Sequence, residues 1–112
     1  MQFLVNVIDD GQAETAGHTE SATAAERDAV DALNARLGDA VVFAAGVSSP
    51  SDATVVDGRD GASEAVPGPV AGDSPFVAGF WVMDLPDPGT ALRVATEASA
   101  ACNRRIELRP LL

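Results

Sequence analysis

The chain has a single imidazole, that of His18, and a general base that works near neutral pH is most often a histidine. His18 lies within residues 10–22, which have no sustained hydrophobic period, and this predicts a loop that leads into a helix. An exposed histidine without a chemical role is the ordinary interpretation of such a position. The catalytic interpretation requires the loop to fold over a sheet cleft and to bring His18 towards Asp73, so that the two residues act as acid and base.

Two adjacent carboxylates, Asp9 and Asp10, follow the first apolar segment and could perform acid–base chemistry or bind a hard cation. Neighbouring residues of a strand point to opposite faces, so we expect a solvated strand end instead. Asp57 and Asp60 belong to a predicted hairpin turn, where Asp has a local structural reason to occur. The ligand spacing therefore gives no support for a metal site.

Three apolar or sulfur-containing side chains also admit two interpretations. Cys102 lies on the apolar stripe of a predicted helix, so we expect a buried small hydrophobic residue rather than a thiolate nucleophile. Trp81 and Met83 could line a ligand pocket, but their strand spacing is more typical of a dimer core. No glycine-rich phosphate loop, G-x-S-x-G, C-x-x-C or H-E-x-x-H occurs, so no cofactor is predicted and the enzyme classes with local signatures are disfavoured.

These side chains must be positioned by the elements of one domain, because 112 residues with 46% hydrophobic content are enough for a single packed core. Seven Arg, no Lys and a net charge of −10 create a field that repels phosphate and anionic lipid. We therefore expect neither nucleic acid nor a membrane as a partner. The acidic, Lys-free composition fits either the bias of a GC-rich genome or an acidic surface adapted to high salt.

The pattern of the chain favours a cytoplasmic protein. Its apolar runs are far shorter than the roughly 20 residues that span a bilayer. The N-terminal MQFLVNVIDD has no basic leader and predicts a first strand over residues 3–8 rather than a signal peptide. A single cysteine has no internal disulfide partner, which is typical of a reducing compartment.

Clear cap signals predict the two main helices. Thr23 and Glu26 have the spacing of a capping box, so the first helix should begin near Ala24 and end at Gly38. Asn34 is expected to face away from its apolar stripe, which contains Ala22, Ala25, Ala29, Leu33 and Leu37, with Val30 beside them. Asp87 followed by Pro88 predicts the start of the second helix, whose buried stripe contains Ala91, Val94, Ala95, Ala98, Ala101 and Cys102.

The remaining segments predict strands. Residues 41–45 are expected to form a buried strand, and residues 54–56 and 63–66 a hairpin around two Asp-Gly pairs. Residues 67–75 are rich in Pro and Gly and predict a loop. Residues 76–85 carry apolar side chains on both faces and give the strongest strand signal. A last strand over residues 104–109 should turn Ile106 and Leu108 inward, after Arg104 and Arg105 at the negative end of the helix dipole.

This order predicts an α+β, ferredoxin-like βαββαβ domain with an extra hairpin and with two helices on one face of an antiparallel sheet. The other face would then expose an apolar surface of several hundred Å², a size at which association is expected. At about 25 cal/mol per Å², burial of roughly 600 Å² per subunit contributes about 15 kcal/mol before association costs. We therefore predict a homodimer through the open sheet face, that is, a dimeric α+β barrel.

Residues 44–61 (AAGVSSPSDATVVDGRDG), residues 67–85 and the IELRP of residues 106–110 resemble the YCII-related, DGPF-type family of small bacterial proteins. The resemblance covers most of the chain from about residue 24, and its most specific pieces are GFWVMDL, the helix over residues 87–101 and the terminal ELRP. The family's dimeric α+β barrels imply the same fold class and the same self-association.

The family signature is degenerate in this chain. Its Asp-Gly-Pro-Phe falls on Pro67, Gly68, Pro69 and Val70, so the Gly-Pro core is kept while the Asp and the aromatic residue are absent. In one branch that is thought to be enzymatic, the first helix carries a His paired with an Asp, and Val30 occupies the place of that His here. No catalytic pair is transferred by the resemblance.

Three functions remain open from the sequence. The first is a homodimer that binds a small apolar or aromatic molecule in a cleft between sheet and loops. The second is an enzyme of lyase or isomerase type that uses His18 and Asp73, which rests on fold analogy alone. The third is a structural or regulatory partner protein. A pocket of roughly 300 Å³ or more with convergent polar groups would favour the first two.

Overall fold

The computed structural model describes residues 1–16 and 22–112 of the chain. Within these residues the elements are β1 (Gln2–Asp9), α1 (Gln12–Ala16), α2 (Ala24–Leu37), β2 (Val41–Gly46), β3 (Thr54–Asp57), β4 (Glu64–Pro67), β5 (Phe76–Asp84), α3 (Pro88–Cys102) and β6 (Arg105–Pro110). Short 3₁₀ turns lie at Gly38–Ala40, Pro50–Asp52 and Arg59–Gly61. None of the helices in these ranges is long and apolar enough to cross a membrane.

A four-stranded antiparallel sheet has the order β2-β5-β1-β6. With the β3–β4 hairpin set aside, the four strands follow the order of a ferredoxin-like domain, in which the first and third strands are central. The predicted fold class is therefore confirmed: two main helices, a four-stranded sheet and an inserted hairpin. The central strands β1 and β5 carry apolar residues on both faces, which is why the sheet places them inside.

The core lies between the sheet and the two main helices. On the sheet side, alternate residues of β1 and β5 point towards the helices, because the side chains of a strand alternate between its faces. The buried apolar residues that pack together are Phe3, Val5, Trp81, Met83 and Leu85 from the sheet side and Leu33, Ala91, Val94 and Ala98 from the helices. The smallest principal extent of the molecule, 18 Å, fits one sheet layer and one helix layer.

Helix α2 begins and ends where the cap signals predict. The Thr23 hydroxyl accepts from the Glu26 backbone N–H, the Glu26 carboxylate accepts from the Thr23 N–H, and Gly38 ends the helix at a positive φ of 55°. The predicted apolar stripe, however, is wrong in part. Ala25 and Ala29 are exposed.

The inward face of α2 keeps Leu33 and Leu37 of the predicted stripe, with Val30 beside them as predicted, and it includes Glu26 in place of the two alanines. Asn34, which was expected to point to solvent, is half-buried and bonds to the indole of Trp81. Alanines contribute little apolar area, so the larger side chains and the hydrogen bond to a buried indole decide how the helix is rotated.

Strand β2 was predicted to be buried, and the structure shows an edge strand that is mostly exposed. Val42 and Phe43 are 53% and 57% exposed. β2 pairs only with β5 within the described residues, and a sequence of small and apolar residues does not say which strand lies at an edge. The Phe43 ring contacts the Phe80 ring at a centroid distance of 5.8 Å.

The sheet face that does not carry the helices is apolar over three of its strands. In the strand register, Leu4 pairs with Val82, and Val82 in turn pairs with Phe43, so these side chains lie side by side. β6 continues the same face with Arg109 and Glu107, which form an ion pair with each other. We call the apolar part, made of Leu4, Phe43, Phe80 and Val82, the open face.

The hairpin of β3 and β4 is confirmed, and it packs mainly on itself. Its outer valines are exposed, Val56 to 73%. In the turn, the second Asp-Gly pair takes the expected positive φ, with Asp60 at 53° and Gly61 at 79°, whereas Gly58 has a negative φ of −114°. Asp57 holds the turn by accepting from the Arg59 N–H.

Helix α3 follows its prediction closely. The Asp87 carboxylate accepts from the Thr90 N–H, Pro88 is the first helical residue, and Asn103 ends the helix in the left-handed region at a φ of 52°. Every residue of the predicted stripe is buried except Ala101, which is half-buried. The loop prediction for residues 10–22 is wrong at its start, where α1 forms because Asp9 accepts from the Gly11 and Ala13 N–H groups.

Candidate binding groove

A groove of about 1100 Å³ runs between α2 and the β2–β5 pair. Residues of α2 form one wall, residues of β2 and β5 form the other, and the segment Val47–Asp52 after β2 also lines the groove. We call it the α2 groove. Its existence follows from the edge position of β2, since α2 does not cover that strand closely.

A hydrogen bond between Trp81 of β5 and Asn34 of α2 joins the two walls of this groove. The Trp81 Nε1–H donates to Asn34 Oδ1 at 2.7 Å, and the Trp81 side chain is 3% exposed. The indole N–H is only a donor, so its burial requires an acceptor, and Asn34 supplies one from the facing helix. The bond fixes both the indole and the orientation of the amide.

Small residues of β2 and β5 keep the groove open. Gly79 pairs with Gly46, and both line the groove together with Ala44. A Cβ atom at Gly79 would lie 2.9 Å from the Ala45 carbonyl oxygen, a distance that real Cβ contacts do not show. β2 and β5 therefore approach each other at a point where only glycine fits.

Beside the groove lies a buried ion cluster of Asp9, Glu26 and Arg104, which we call the Arg104 cluster; Glu26 and Arg104 line the groove. The Arg104 Nε is 3.4 Å from Asp9 Oδ2, and one of its terminal nitrogens is 3.3 Å from Glu26 Oε2. The same nitrogen donates to the carbonyl oxygens of Cys102 and Asn103 at the end of α3. One guanidinium thus joins the end of β1, the start of α2 and the end of α3.

The contacts of Glu26 within the cluster favour its charged form. Burial alone would raise the pKa of Glu26, but the Thr23 backbone N–H and the Arg104 guanidinium outweigh it, so the pKa lies below its ordinary value. Glu26 and Arg104 line the α2 groove and also a smaller cavity of about 430 Å³, which Asp10, Gln12 and Thr23 share.

The prediction that Asp9 ends β1 in solvent is wrong, because the structure places Asp9 in the Arg104 cluster at 1% exposure. Asp10 is the solvated member of the pair and forms an ion pair with Arg105 at 2.7 Å. A signal for Asp9 was present in the sequence. It falls on the same alternation as Phe3 and Val5, whose side chains face the helices.

Of the two predicted acid–base residues, only Asp73 lies in the part of the chain that the structure describes. Asp73 is exposed in the loop before β5 and is not among the described residues that line the α2 groove. His18 lies outside the described residues. The catalytic pairing therefore stays a prediction.

The sequence analysis also considered a thiolate at Cys102 and a metal site, and it favoured neither. Cys102 is buried as expected, and burial raises the pKa of its thiol, which disfavours a thiolate. Within residues 1–16 and 22–112, no group of three or more His, Cys, Asp or Glu side chains could hold a metal ion. The residues that line the α2 groove were mostly missed at the sequence level, apart from Trp81.

The fold and the groove define a small α+β protein of ferredoxin-like strand order. In comparisons with known proteins, no family model matches the chain, and no curated protein matches it either. The resemblance to the YCII-related family therefore stays a prediction that rests on the residues quoted for it.

Proposed function

We propose that the chain is a cytoplasmic, homodimeric α+β barrel protein of YCII-related type that binds a small apolar or aromatic molecule in the α2 groove. The observation that carries the proposal is the groove of about 1100 Å³, larger than the 300 Å³ at which small-molecule sites begin. Apolar groups from Val30, Ala44 and Phe76 line it, and Asn34 contributes a polar group. This combination is typical of small-molecule sites.

Self-association is supported by the open face. Its aromatic residues Phe43 and Phe80 contact each other, and Phe43 is more than half exposed although it is a large apolar side chain. An apolar surface of this kind on a protein of this size marks an association site. A second copy fits best, because it would present the same apolar strands to bury against them.

The groove is tested by a ligand screen of small aromatic compounds with wild-type protein and two Ala→Leu variants. Ala44 lines the groove, so Ala44→Leu should fill part of it and weaken binding of any groove ligand about tenfold or more. Ala100 is exposed on α3, and Ala100→Leu should leave binding unchanged. Affinities are measured by titration followed by two-dimensional NMR.

Equal affinities for wild type and Ala44→Leu would contradict a site in the α2 groove. Failure of every compound to bind at millimolar concentration would contradict the proposal of a small-molecule binding protein.

A further inference from the structure

The orientation of the Asn34 amide is determined by its neighbour. The Trp81 indole N–H is only a donor, so Oδ1 of Asn34 must face it, and the observed donor–acceptor distance is 2.7 Å. The amide NH₂ group then points to the other side of the Cγ atom. Among the hydrogen bonds of residues 1–16 and 22–112, none has this NH₂ group as its donor. Because Asn34 lines the α2 groove, its two N–H bonds are available to a bound molecule.

A free donor selects an acceptor in the ligand. A ligand atom that accepts no hydrogen bond would leave a half-buried amide unpaired, which costs free energy relative to a carbonyl oxygen at the same place. A site with a hydrogen-bonding group rejects a ligand that cannot bond to it more strongly than an apolar pocket rejects a ligand of slightly different size. Asn34 therefore favours ligands that carry an oxygen acceptor.

The charge of the protein decides between a neutral and an anionic acceptor. Glu26 and Arg104 are paired within the Arg104 cluster, and the other charged residues among the described ones that line the groove are Arg27, Asp31 and Asp52, so acids exceed bases by one in its lining. The whole chain carries a net charge of −10. This field opposes the entry of a carboxylate and leaves a neutral carbonyl compound unaffected.

The shape of the groove favours a flat molecule. Ala44, Gly46 and Gly79 have little or no side chain, so this part of the β2–β5 wall has no large side chain projecting from it. Phe76 also lines the groove and offers an aromatic contact. A flat aromatic ring can lie against such a wall over its whole face.

We infer that Asn34 is the specificity-determining residue of the α2 groove and that the ligand is an uncharged, planar aromatic molecule whose carbonyl oxygen accepts from the Asn34 NH₂ group. This inference rests on the proposed function and names the chemistry of the molecule that the groove binds.

Three naphthalenes of similar shape test it. 2-Acetylnaphthalene carries a neutral acceptor, 2-isopropenylnaphthalene replaces its oxygen by a CH₂ group, and 2-naphthoate carries an anionic acceptor. With full-length wild-type protein, we expect 2-acetylnaphthalene to bind about tenfold or more tightly than either of the others. NMR titration measures the affinities, and the side-chain signals of Trp81 and Asn34 locate the bound molecule.

A matched pair of variants separates the loss of the Asn34 NH₂ group from the effect of an added negative charge. Asn34→Asp keeps an oxygen for the Trp81 N–H and replaces the NH₂ group by a second oxygen, so the preference for the acetyl compound over the isopropenyl compound should disappear. Ser48→Asp adds the same charge at another residue that lines the groove and should keep that preference. The Trp81 indole N–H signal shows whether the hydrogen bond to residue 34 persists in each variant.

Failure of this inference can be distinguished from failure of the proposed function. If the naphthalenes bind, Ala44→Leu weakens them, and the acetyl and isopropenyl compounds have equal affinities, the proposed function stands and the role of Asn34 is overturned. Tighter binding of 2-naphthoate than of 2-acetylnaphthalene would overturn the neutral ligand class. If none of the three compounds binds, the proposed function and this inference both fail.

Discussion

Arg104 and its two carboxylate partners show how single residues connect distant parts of this chain. Asp9 and Arg104 are separated by most of the sequence, yet both side chains are almost fully buried and lie 3.4 Å apart. A buried charge without a partner is strongly destabilising, whereas a fully paired one contributes little net stability. The cluster therefore matters most when one member is removed.

Asp9→Ala should lower the free energy of unfolding by about 3 kcal/mol, because Arg104 loses a buried partner and α1 loses its N-terminal acceptor. Urea unfolding at a fixed protein concentration measures the change. Asp10→Ala is the control, since the Asp10–Arg105 pair is solvent-exposed, and its effect should stay within about 1 kcal/mol. Equal effects of the two substitutions would show that the loss of the buried Asp9–Arg104 pair costs no more stability than the loss of the exposed Asp10–Arg105 pair.

Glu26 makes the stability depend on pH in a definite direction. Its pKa in the folded protein lies below the ordinary value of 4.5, so the charged carboxylate contributes stability that is present above pH 4.5 and is lost as the pH falls through the folded-state pKa. Glu26→Gln removes this titration. The difference in unfolding free energy between wild type and Glu26→Gln should therefore be larger at pH 7 than at pH 3.

The other acids titrate in both proteins, so the comparison with Glu26→Gln cancels their contribution. A difference that stays constant between pH 3 and pH 7 would mean that the Thr23 and Arg104 contacts do not favour the charged form of Glu26.

At the scale of elements, the pairing of β2 with β5 depends on a glycine pair. Gly46 and Gly79 face each other in the register, but their surroundings differ. An added Cβ would lie 2.9 Å from a backbone oxygen at Gly79 and 4.0 Å from one at Gly46. The first distance requires the strands to move apart, and the second is an ordinary contact.

Gly79→Ala should therefore destabilise the protein by about 1–3 kcal/mol through overpacking. Gly46→Ala should be neutral or slightly stabilising, because alanine reduces the entropy of the unfolded chain and meets no obstacle here. Thermal unfolding of both variants under identical conditions measures the difference. A Gly46→Ala variant as unstable as Gly79→Ala would show that the close approach at Gly79 is not the cause.

The sheet order and the rotation of α2 illustrate how far elements can be predicted. Caps, turns and the second helix follow from local chemistry, so Thr23, Glu26, Asp87 and Pro88 place element boundaries correctly. The rotation of α2 depends on what lies across from it. Its alanines occur on several faces, so the sequence pattern of α2 alone does not select the face that meets Trp81.

At the scale of the whole molecule, one face of the sheet is covered by helices and the other carries apolar side chains. Phe43 and Phe80 form a ring contact on that open face, and β6 continues it with a charged pair. This asymmetry is the physical reason for expecting a second copy.

We expect wild-type protein to be a dimer at micromolar concentration by size-exclusion chromatography with light scattering. Phe43→Arg should shift it to a monomer, because a charge would be buried at the centre of the interface. Leu92→Arg is the control, since Leu92 is 64% exposed on α3, in the helix layer, and this variant should remain a dimer. A monomeric wild-type protein would contradict association through the open face.

The sequence by itself determined the order of the strands and of the two main helices, the caps of those helices and the presence of more apolar surface than two helices can cover. These properties depend on neighbouring residues and on the total count of apolar side chains. The tertiary structure alone decided that β2 is an edge strand, that Asp9 is buried against Arg104 and that Asn34 holds Trp81 beside a groove. These three features depend on residues that are far apart in the chain, and such long-range pairing depends on the packing of all elements together.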